Sequence, residues 1–109
     1  MFVNKTQRAV VSFSSAGDNI VIAAPTDGGS IVIDHLNLVP NSAVTMTIKS
    51  GSTAITGAYS LTANQGYTIE NIMHDEEGVL KCTADEAFTI SLGGAVQCSG
   101  FVNYRIINR

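Results

Sequence analysis

Charge is scarce in this chain, with six basic and nine acidic side chains among 109 residues, and no apolar run approaches the roughly 20 residues that span a bilayer as a helix. The basic residues, Lys5, Arg8, Lys49, Lys81, Arg105 and Arg109, are scattered. No stripe follows a phosphate backbone, so nucleic acid is not expected as a direct partner, and neither is a membrane. Tryptophan is absent, and there are two histidines, two cysteines and two prolines. His35 and His74 sit in no Ser-His-Asp or Cys-His spacing, which removes the usual nucleophilic constellations. Cys82 and Cys98 have no adjacent histidine and fall short of a zinc site. The first residues lack the apolar stretch of a signal peptide, so synthesis in a cytoplasm is expected. A reducing compartment favours two buried free thiols, and a disulfide requires that their strands pair.

Apolar residues make up 45% of the chain, too many for a disordered polypeptide and enough for one core at this length. They alternate with polar residues over short runs closed by Gly, Pro, Asn or Ser. In 43–49, Val44, Met46 and Ile48 share one face and Thr45, Thr47 and Lys49 the other, the period of a half-buried strand. Strands are expected over 7–14, 19–24, 30–39, 43–49, 53–61, 65–72, 79–83, 86–92 and 96–107. The segment 53–61 is weakened by Gly57. The 25–29 stretch, PTDGG, reads as a loop closing a hairpin between the second and third strands.

In the third strand the phase slips, since Ile31 and Ile33 share one parity and Leu36 and Leu38 the other. One extra residue near Asp34 and His35 reconciles the halves, so a bulge is expected there. Gly100 is a second candidate for a bend or bulge, with Val102, Tyr104 and Ile106 facing the core. Eight or nine strands without a helical window give an all-β fold, a single antiparallel β-sandwich of jelly-roll-like kind. It occupies 7–109, preceded by an arm at 1–6.

Two segments carry a resemblance. LNLVPNSAVTMTIKSGSTAITGAYSLTANQGYTI at 36–69 and CTADEAFTISLGGAVQCSGFVNYRI at 82–106 resemble a pattern of small structural proteins of tailed bacteriophages. Thr83, Ala84, Glu86 and Ala87 match its lead into a strand, and Ser99, Gly100 and Tyr104 its closing strand. The acidic loop 75–77 departs from that pattern, which more often carries aromatic or glycine-rich residues there. The resemblance implies a capsid decoration (cement) protein of the virion, a non-enzymatic sandwich, commonly trimeric, that binds the major capsid protein and stabilises the expanded head. A tail- or head-fibre module acting as adaptor or in receptor binding is the alternative.

The candidate capsid contacts are Phe2, Val3, Lys5 and Arg8, because an N-terminal arm can insert apolar residues or add a strand to a neighbour. Thr26, Asp27, Gly28 and Gly29, with Asp75, Glu76 and Glu77, are candidates for an exposed tip or a subunit junction. Three consecutive acids lack the alternating spacing of a calcium loop, and the Asp-Gly-Gly run lacks the lysine and helix of a phosphate cradle. No metal, cofactor or catalytic residue is assigned. Tyr67 and Tyr104 keep core phase, leaving Tyr59 as the one tyrosine free to stack on a sugar.

Overall fold

The computed structural model describes residues 5–73 and 76–108, and all its regular structure is β. Phe2, Val3, His74 and Asp75 lie outside the described residues. Ten strands form, β1 (Gln7–Phe13), β2 (Gly17–Ile22), β3 (Gly29–Pro40), β4 (Val44–Ser50), β5 (Thr53–Ala54), β6 (Tyr59–Leu61), β7 (Tyr67–Glu70), β8 (Leu80–Lys81), β9 (Phe88–Leu92) and β10 (Cys98–Asn108). They make two antiparallel sheets. One is ordered β1-β10-β3-β7, with β8 also on β3, and the other β2-β9-β4-β5, with β6 also on β4.

The strand count differs from the expected eight or nine for a simple reason. Both β5 and β6 lie along β4, and both β7 and β8 along β3, so ten segments fill eight positions. With each pair taken as one interrupted strand, the chain crosses between sheets at every step except from β4 to β5/β6, which is the order of a jelly roll. The interruptions blunt one side of the sandwich. The opposite side keeps two unbroken edge strands, β1 and β2.

The alternation read from the sequence places the core. Val44, Met46 and Ile48 are buried, and across the interior they face Ile31, Ile33, Leu36, Leu38 and Val102, with Phe88, Ile90 and Leu92 beside them. Each side chain of this size contributes roughly 1.5–3 kcal/mol when fully buried. The phase slip in β3 is real. Asn103 pairs with His35 and Tyr104 with Ile33, leaving Asp34 as the extra residue. The bulge lets Ile33 and Leu36 both point inward.

Two expectations are corrected. The second and third strands do not form a hairpin, because β2 pairs with β9 while β3 pairs with β10 and β7; the PTDGG loop carries the chain from one sheet to the other. Gly100 is not a bulge either, since its register with both β1 and β3 is continuous. It permits close approach, because a Cβ there would collide with the Asn37 carbonyl. A second bulge, unexpected from the sequence, lies in β2, where Ile20 pairs with Thr89 and Ile22 with Phe88, so Val21 is supernumerary. It turns Ile22 into the core and leaves Ile20 70% exposed.

Candidate interaction surfaces

Arg8 is the charged residue of β1, and the strand's alternation sends it to the outer face of its sheet with Val10 and Ser12. Antiparallel register sets Arg8 opposite Asn103 and Val10 opposite Phe101. The guanidinium lies 4.4 Å from the centroid of the Phe101 ring and donates from Nε to Asn103 Oδ1 at 2.9 Å. Phe101 also stacks in parallel on His35, centroids 5.2 Å apart, and His35 Nδ1 lies 3.6 Å from Glu70 Oε2. A ladder of four side chains, Arg8, Phe101, His35 and Glu70, thus crosses β1, β10, β3 and β7. It ties the four strands together on the solvent side. Of these, only Arg8 was singled out as a site from the sequence; the parity of Phe101 outside the core phase of Val102 and Tyr104 was the available signal.

The bulge residue Asp34 organises a second cluster. Arg105 donates from Nε to Asp34 Oδ2 at 2.7 Å and from Nη2 to Oδ1 at 3.0 Å. Asn71 donates its side-chain amide to Asp34 Oδ1 and its backbone N–H to the Asp34 carbonyl, and Arg105 Nη2 reaches the Glu76 carbonyl at 3.2 Å. Asn71 is therefore fastened to the middle of β3, and Glu76 to Arg105 on β10. Gly78, at φ 69°, fits where a Cβ would strike Val32 and the Ile33 carbonyl. Glu76 and Glu77 are exposed, and Glu77 pairs with Lys81 at 2.9 Å. Beside them Ile72 and Met73 stand 73% and 85% exposed, lining an open depression with Glu70, Asn71, Gly78 and Val79.

The other predicted loop is built separately. Thr26, Asp27 and Gly28 are exposed, whereas Gly29 is buried and opens β3. Asp27 and Gly28 both take positive φ, and the Gly28 N–H donates to Asp85 Oδ1 at 2.9 Å while the Asp85 N–H donates to the Gly29 carbonyl at 2.8 Å. This loop docks on the β8–β9 connection, whereas Glu76 is held by Arg105 and Glu77 by Lys81; the two candidate tips have different anchors. Lys5 is exposed immediately ahead of β1.

The remaining chemistry-bearing residues are committed within the fold. Cys82 and Cys98 are free and buried, and burial pushes the Cys82 thiol up to about 11 and the Cys98 thiol upward as well. Tyr59 is not free to stack on a ligand, as the sequence phase had implied. It packs on the core with its ring 4.8 Å from that of Tyr67, linking the two sheets, and burial with the Tyr59 contact raises the Tyr67 phenol. Lys49 pairs with Asp18 at 3.0 Å across the outer face of the second sheet; that bond and one involving Ser91 lower the Asp18 carboxyl. Among the described residues no group of three His, Cys, Asp or Glu side chains is placed to hold a metal ion, and no helix is long and apolar enough to cross a membrane.

Compared with known protein families and with functionally characterised proteins, the chain matches no family model and no characterised sequence. What fold and surface define is a class: a jelly-roll domain whose exposed features are apolar side chains on its edges and a tied ladder on one face. Val10 at 75% and Ile20 at 70% exposed mark the unbroken side, and Ile72, Met73 and Val79 the interrupted one.

Proposed function

We propose that the protein is a non-enzymatic virion component of the capsid decoration type, which binds the major capsid protein of a tailed-phage head and stabilises the expanded shell. The observation that supports this reading is the exposure of large apolar side chains on both sides of a small jelly roll, Val10 and Ile20 on one and Ile72 and Met73 on the other. Isolated monomers seldom expose apolar groups in clusters unless a partner covers them. The sequence resemblance supplies the partner. The chain ahead of β1, with Lys5, carries the shell contact, and Arg8, pinned over Phe101, fixes where that chain leaves the sheet. Many copies on a lattice add their weak contacts by multivalency.

Heads purified from the virus that encodes the chain are expected to contain it in fixed ratio to the shell protein. Removing residues 1–6 is expected to leave a folded domain that no longer joins expanded, undecorated heads. Absence from purified particles overturns the proposal, and adherence of the free protein to host cells instead of heads assigns it to a fibre.

A further inference from the structure

Three of the four sheet edges are poor templates for another strand. The β5/β6 edge is split into strands of two and three residues and the β7/β8 edge into four and two, while β2 carries its bulge at Val21. Short and bulged edges resist strand addition. The β1 edge differs, for its seven residues pair with β10 in one continuous register, without proline or bulge, and no strand of the described residues lies on its other side. A charge standing over that edge would guard it, yet Arg8, the one charged residue of β1, leans the other way, onto Phe101 and Asn103 of β10. Ser12 is held from the same side by Gln97, which donates to its hydroxyl at 3.3 Å. What the open edge presents is backbone and Val10, 75% exposed.

We propose that this edge takes the β1 of a second copy, the two strands running antiparallel about a two-fold axis at Val10. Every second residue of an edge strand turns its N–H and C=O outward, and the pairing satisfies these groups in both copies. Side chains choose the register. With the axis at Val10, that residue faces its own equivalent on the outer side and Arg8 faces the second copy's Ser12, so no like charges are opposed. On the core side Ala9 faces Val11 and Gln7 faces Phe13, and the half-buried Ala9 and Phe13 at the margin of the core gain cover. The outer residues of β1 are Arg8, Val10 and Ser12, so this register alone sets Val10 against an apolar group. Such a contact uses the same patch on both copies and is closed, so association stops at two. A dimer departs from the trimer that the phage resemblance implies. The inference goes beyond the capsid reading and does not rest on it.

Sedimentation of the unaltered protein is expected to show a concentration-dependent equilibrium between monomer and dimer, little affected by salt because backbone pairing carries it. Val10→Lys sets two ammonium groups opposite one another and is expected to weaken association at least about tenfold. Its circular dichroism is expected to match that of the unaltered protein, since the position is mostly exposed. Cross-linking under oxidised glutathione reads the register. Facing Cα atoms of antiparallel strands lie roughly 4.5–5.5 Å apart, within disulfide reach, so Val10→Cys is expected to form a covalent dimer. Ser12→Cys is expected not to, because the two Ser12 positions are then roughly 14 Å apart. Cys82 and Cys98 are buried and do not compete. A protein that stays monomeric at all concentrations, assembles as a trimer, or associates undiminished as Val10→Lys overturns the inference, and so does Ser12→Cys that cross-links as readily as Val10→Cys. Failure to bind heads with the dimer intact strikes the capsid reading and leaves the inference standing.

Discussion

Asp34 and Arg105 meet through two hydrogen bonds, at 2.7 and 3.0 Å, across the point where β3 gains its extra residue. An unpaired bulge exposes backbone and loosens the ladder, and here the same carboxylate that bulges also holds a cation on β10 and the amide of Asn71. One side chain therefore sits at the register shift of the central strand pair and also holds Asn71, the residue after β7.

Both partners are about four-fifths buried, with side-chain exposures of 21% for Asp34 and 16% for Arg105. Removing one charge from such a pair costs more than at an open surface and less than in a dry core. Asp34→Ala is expected to destabilise by about 2–3 kcal/mol, between the exposed-pair and buried-pair ranges. Arg105→Lys keeps the charge but loses the fork, for about 1 kcal/mol. Urea unfolding midpoints check both, and an unchanged midpoint for Asp34→Ala means that the bulge is held by the backbone alone.

Two glycines separate steric from conformational need. At Gly100 a Cβ would overlap the Asn37 carbonyl and sit 3.0 Å from the Leu38 Cα, in the middle of a continuous register. Backbone cannot give way cheaply there. Gly100→Ala is expected to cost roughly 3 kcal/mol or more, as overpacking between paired strands does. Gly17 has φ 87° and open space around it, so Gly17→Ala bears only the left-handed penalty of about 1 kcal/mol. Equal losses in thermal unfolding contradict this ordering.

The sheets were legible because burial follows parity. Val44, Met46 and Ile48 announce their face, and the slip between Ile33 and Leu36 announces a bulge, since no flat strand buries both pairs. Pairing was less legible, because a loop such as PTDGG closes a hairpin or crosses between sheets with the same residues. The β2 bulge left no trace: Ile20 and Ile22 share parity, and only the partners Thr89 and Phe88 reveal that they face opposite ways. The surface ladder was hidden for another reason. Arg8, His35, Glu70 and Phe101 are spread over 94 positions of sequence, and only the strand order brings them into one row.

Stability is expected to fall at both ends of the pH scale, for opposite reasons. Lys49 lowers the Asp18 carboxyl in the folded state, so its contribution is present above the unfolded value near 3.8 and is lost as pH falls through the lower folded one. Lys49→Gln is expected to flatten that acid limb. Burial raises the Cys82 thiol from 9.0 to about 11, so the unfolded chain ionises first on the alkaline side. That thiol makes stability fall by about 1.4 kcal/mol per pH unit between those values. Cys82→Ala is expected to remove this slope, and alkylation of the native protein at neutral pH is expected to track global unfolding. Rapid labelling of either cysteine in the folded state contradicts the burial.

Phe101 has both faces occupied, by the Arg8 guanidinium at 4.4 Å and by the His35 ring at 5.2 Å. Its worth exceeds the area it covers, because a flat ring between a cation and an imidazole gains from its quadrupole as well as from burial. Phe101→Leu keeps most of the apolar volume and is expected to cost about 1 kcal/mol, whereas Phe101→Ala is expected to cost roughly 2–3 kcal/mol for this partly buried ring. The coupling is measured directly by pairing Phe101→Leu with Arg8→Ala in a double-mutant cycle, where an interaction of about 0.5–1 kcal/mol is expected. Strict additivity of the two substitutions means that Arg8 rests on the ring without gaining from it, and the outer-face ladder then ends at Phe101.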